Sequence, residues 1–78
     1  IDAVKKAVAE HVEPAIPYII KLYEGEDEFI KKVMLEAVET GLSRLNGRER
    51  AKIIEMIKNR DEQMADRVEK RLRVKETE

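Results

Sequence analysis

Apolar residues recur at helical spacing along most of this chain. Ile1, Val4, Val8 and Val12 fall three or four apart with Ala7 alongside, while Lys5, Lys6 and Glu10 lie off that line. The spacing predicts an amphipathic helix over about residues 1–12 with Asp2 as its N-cap. Glu13-Pro14 is expected to end it, because proline disfavours α geometry in the residue before it.

The stretch from Pro14 to Tyr23 departs from this pattern, since apolar residues crowd it on every side. It holds both prolines, both tyrosines and three of the isoleucines. Pro14 and Pro17 fit the first turn of a helix, where backbone N–H groups have no intrahelical partner. Ile16, Ile19, Ile20 and Tyr23 then form one face, and Tyr18 and Leu22 another. A helix apolar on two faces is expected to be enclosed by its neighbours. The isoleucines and tyrosines also fit a strand, against which stand Pro17 and the absence of a second strand candidate. Gly25 is the expected stop, able to take positive φ.

A clear 3.6-residue pattern follows from Phe29 through Val33, Met34, Ala37 and Val38 to Leu42 and Leu45. Glu26, Asp27 and Glu28 precede it, where acidic groups complement the helix dipole. Gly41 falls on the apolar line, either as a terminal cap or as a gap admitting a neighbouring helix. The continued period at Leu42 and Leu45 favours the second. Asn46-Gly47 marks a turn, with Asn46 three residues before Glu49 as in a capping box. The last helix is expected from Arg48 to about Val74, roughly 40 Å at about 1.5 Å per residue. Its apolar line narrows after Lys58 to Met64, Val68 and Leu72, interrupted by Asp61. So narrow a line suits a coiled-coil seam better than a globular core. Residues 75–78 are expected to fray.

These elements make an all-α bundle of four helices, at about 1–12, 14–24, 27–45 and 48–74, in one domain. The second helix is short and central, and the last is long and projecting. Composition permits a fold: 21 of 78 residues are Leu, Ile, Val or Phe, above the roughly one-fifth below which chains stay disordered. Without cysteine, neither disulfide nor thiolate metal site can reinforce so small a core. Charged residues make up 42% of the chain with a net charge of −1. That content, with few Asn and Gln, suits a thermophile. No run of 18 apolar residues exists to span a membrane, and a cytoplasmic setting is the expectation. The chain opens on Ile1 rather than Met, as a piece of a longer protein would.

Candidate chemistry is sparse. His11 has Glu10 and Glu13 beside it, but these three do not share a helix face. The Glu-x-x-His spacing of carboxylate-bridged metal bundles is also missing. Ser43, the sole serine, sits in no nucleophile elbow. Gly25, Gly41 and Gly47 form no phosphate loop. No enzyme activity, metal, cofactor or small-molecule substrate is expected.

Residues 1–47 carry six basic and nine acidic side chains, and residues 48–78 ten and eight. Arg67, Lys70, Arg71 and Arg73 concentrate the positive charge of the second half, a candidate contact for nucleic-acid phosphates. The Leu45–Arg48 join also invites comparison with a helix-turn-helix, with Arg48, Arg50 and Lys52 on the would-be reading helix. Any helical hairpin contains such a turn. The leading expectation is an interaction or dimerisation module, pairing with a second copy through Ile54, Ile57, Met64, Val68 and Leu72, with Tyr18 and Leu22 as further contacts.

Overall fold

The chain's computed structural model describes residues 2–77, with side chains over residues 2–74. Five helices follow one another: α1 (Asp2–Glu10), α2 (Val12–Tyr23), α3 (Glu28–Ser43), α4 (Gly47–Lys58) and α5 (Glu62–Thr77). Among the described residues there is no strand, and no helix is long and apolar enough to cross a membrane. Ile1, expected to open the first apolar line, lies outside the described residues.

The first two helices meet one joint earlier than expected. The break falls at His11, with φ −136° and ψ 53°, and not at Glu13-Pro14. Pro14 is the third residue of α2, where the missing N–H costs nothing, so it need not end a helix upstream. Asp2 is the first helical residue of α1 rather than its cap. The shift passes Val12 from the first helix to the second, and Val8 and Val12 are both buried against α3.

Gly41 sets that packing distance. The helix continues through it, and a Cβ built there would stand 2.6 Å from the Ala9 carbonyl oxygen, with a methyl of Val12 closer still. Only hydrogen fits, so the His11 joint sits directly on the α3 backbone. Ala37, Val38 and Leu42 of α3 are fully enclosed. Around them α2 contributes Ile16, Ile19, Ile20 and Tyr23, the enclosed face expected of it. Its other face is not enclosed: Leu22 is half-buried and Tyr18 is 49% exposed.

The long last helix does not form. Asn59 ends α4, and the Asp61 side chain accepts a hydrogen bond from the backbone N–H of Met64 at 3.0 Å, starting α5. The interruption at Asp61 is therefore a helix cap. The whole molecule measures 29 × 25 × 23 Å, too short for a continuous helix of roughly 40 Å. Its radius of gyration of 11.3 Å matches the roughly 11.5 Å expected of a compact chain of this length. Folding back lays α5 against α3 and α4, with Met64 and Val68 fully enclosed and Leu72 buried.

Other caps follow the sequence more closely. Asp27 accepts from Phe29 N–H at 2.9 Å and Ile30 N–H at 3.3 Å, and Asn46 accepts from Glu49 N–H at 2.8 Å. Gly25 does not use its conformational freedom, since no glycine among the described residues has positive φ. Residues 75–77, expected to fray, continue α5, and Glu78 lies outside the described residues.

Candidate interaction surface

The residues expected to meet a second chain divide into three groups. Ile57, Met64, Val68 and Leu72 belong to the core. The α4–α5 turn folds their line inward, which leaves them no surface to offer. Ile54 and Leu22 are partly buried and pack against the same core. Tyr18 alone stands well into solvent.

The basic residues of α5 are largely engaged within the chain. Lys70 pairs with Asp66 at 3.0 Å and Arg73 with Glu69 at 3.7 Å, both four residues apart. Arg71 reaches Glu39 on α3 at 3.0 Å. Arg67 stands beside the buried Tyr23, whose phenol is raised above its ordinary value by burial, with Arg67 acting against that rise. The Tyr23 hydroxyl donates to Gln63 Oε1 at 3.4 Å. The Arg71–Glu39 pair and the Tyr23–Gln63 hydrogen bond tie α5 to α3 and α2, while the other two pairs lie within α5.

At the would-be helix-turn-helix, Arg50 donates to the carbonyl oxygens of Leu42 at 3.1 Å and Leu45 at 3.2 Å. A guanidinium there adds a second donor to the Leu42 carbonyl, which also accepts the Leu45 backbone N–H at 3.1 Å, and complements the dipole at the end of α3. Lys52 pairs with Glu13 at 3.6 Å. Both side chains are thus turned toward this chain, and Arg48 is exposed.

Among the described residues, no three His, Cys, Asp or Glu are grouped to hold a metal ion. His11 is exposed at the α1–α2 joint, and Ser43 donates to the Thr40 carbonyl at 2.8 Å. Glu36 titrates below the ordinary carboxyl range, held there first by the hydrogen bond from Lys5 at 2.8 Å, with burial opposing. That pair ties α1 to α3, and each of its members is about one-third exposed.

What the chain does leave uncovered lies between its first two helices. From the His11 joint a groove of about 380 Å³ opens between Val4, Ala7 and Val8 on one wall and Pro14, Ala15 and Tyr18 on the other. Positions 4, 7 and 8 share one face of α1, positions 14, 15 and 18 share one face of α2, and His11 lines the groove from the joint between them. Val8 turns its side chain to the core, while Val4 stays 39% exposed and Ala7 lies at the surface. No wall residue carries a carboxylate, ammonium or guanidinium. The other exposed large apolar side chains, Phe29 and Val74, stand singly at the start of α3 and near the end of α5. Scattered residues of that kind are ordinary on protein surfaces.

Two further hollows carry charged side chains on their walls. One of about 330 Å³ under the joint carries Glu10, Glu13, Glu49 and Lys52, and one of about 280 Å³ carries Lys5, Lys6, Thr40 and Arg44. The apolar groove stands apart from both in its chemistry.

Periodicity alone places Val4 and Ala7 in the core line of the first helix. Recognising them as surface requires knowing that α1 meets α3 through Ala9, Val8 and the Lys5–Glu36 pair, which leaves Val4 and Ala7 at the edge of that contact. The available signal is the small size of the α1 apolar residues, valines and alanines only among the described positions. No protein-family model matches this chain, and comparison with curated proteins and with solved structures yields no match.

Proposed function

We propose that this chain is a small protein-interaction module that receives an apolar helical face in the groove between α1 and α2. The observation carrying this reading is that groove: contiguous, lined by His11 at the joint and otherwise by apolar groups and Tyr18, and left open by a chain that buries its other apolar stripes. Contiguous apolar surface on a small domain marks a contact site more often than scattered residues do. Helix-in-groove docking reads apolar anchors at i, i+3 or i+4 and i+7, and the walls present partners of that size.

Phosphate binding through α5 has less to recommend it, because Lys70, Arg71 and Arg73 would first have to leave Asp66, Glu39 and Glu69.

Titration of isotope-labelled protein with an amphipathic helical peptide carrying leucines at those spacings tests the proposal. Backbone and methyl resonances of Val4, Ala7, Val8, Ala15 and Tyr18 are expected to shift together. Ala7→Glu, a change at an exposed position, is expected to abolish the shifts without moving the melting temperature. Shifts that map to α4 or α5, or that survive Ala7→Glu, would overturn it.

A further inference from the structure

We draw no further inference here: the strongest candidate, the apolar groove between α1 and α2 that runs from the His11 joint past Val4, Ala7 and Tyr18, carries nothing beyond the function proposed above, because nothing in the structure shows what covers it.

Discussion

Val68→Asp is expected to leave the chain unfolded at room temperature. Val68 is fully enclosed in the middle of α5, between Met64 and Leu72 on the same buried line. Aspartate there is too short to reach solvent. An unpaired buried charge costs several kcal/mol after relaxation, at or beyond the roughly 4–5 kcal/mol that marks the extreme of single substitutions. Stabilities of whole domains run about 5–15 kcal/mol, and a chain of this size falls toward the low end. Val74→Lys, at a position 60% exposed on the same helix, is expected to shift stability by no more than about 0.5 kcal/mol. Circular dichroism and thermal melting read both. Had the last helix projected as a seam, Val68→Asp would weaken association and spare the fold. A variant that melts like the parent therefore contradicts the folded-back α5.

Gly41→Ala is the second large effect, with a sign opposite to helix propensity. Alanine in place of glycine favours a helix interior by about 1 kcal/mol. Here the added methyl meets the Ala9 carbonyl at 2.6 Å and a methyl of Val12. The first of these is backbone, so the α1–α2 joint itself has to move off α3. Overpacking of that kind costs about 1–3 kcal/mol, and the net expectation is destabilisation. Gly47→Ala supplies the comparison, since nothing lies within 4 Å of a Cβ at that position and its φ is not positive. It is expected to be neutral or slightly stabilising. Chemical denaturation of the two variants separates them; equal or greater stability for Gly41→Ala would show that the joint does not rest on Gly41.

The same residues show which parts of the fold are legible in sequence. The α3 line, the Asn46 cap and the continuation of the helix through Gly41 can be read because each rests on local spacing or a local hydrogen bond. The fate of Met64, Val68 and Leu72 cannot be read that way. Spacing at four says that they share a face; it does not say what covers it. The deciding detail is Asp61, whose carboxylate caps α5 and turns it back. A lone aspartate within a helical pattern fits an exposed interruption equally well. The basic run of α5 has a similar history. Asp66–Lys70 and Glu69–Arg73 stand four apart with the acid first, the favoured order for helical ion pairs, so that part of its neutralisation is written locally. The Arg71–Glu39 pair spans two helices and exists only once α5 has folded back. The groove is least legible, because it depends on which face of α1 meets α3, and Val8 and Ala9 take that place while Val4 and Ala7 do not. The break at His11 rather than Pro14 passes Val12 to the second helix, where it is buried.

Closing α5 and opening the α1/α2 face are two sides of one account: the Met64, Val68 and Leu72 line of the last helix is buried, and the contiguous open apolar face lies on the first two. Thiol accessibility tests it most directly, because the chain has no cysteine of its own. Ala7→Cys and Ala65→Cys change little volume, and the two positions are respectively exposed and 2% exposed. In dilute solution under native conditions, a thiol at position 7 is expected to react with a maleimide as fast as a free cysteine. A thiol at position 65 is expected to wait on opening of the fold. Comparable rapid labelling at both positions, with native circular dichroism retained, would contradict the account.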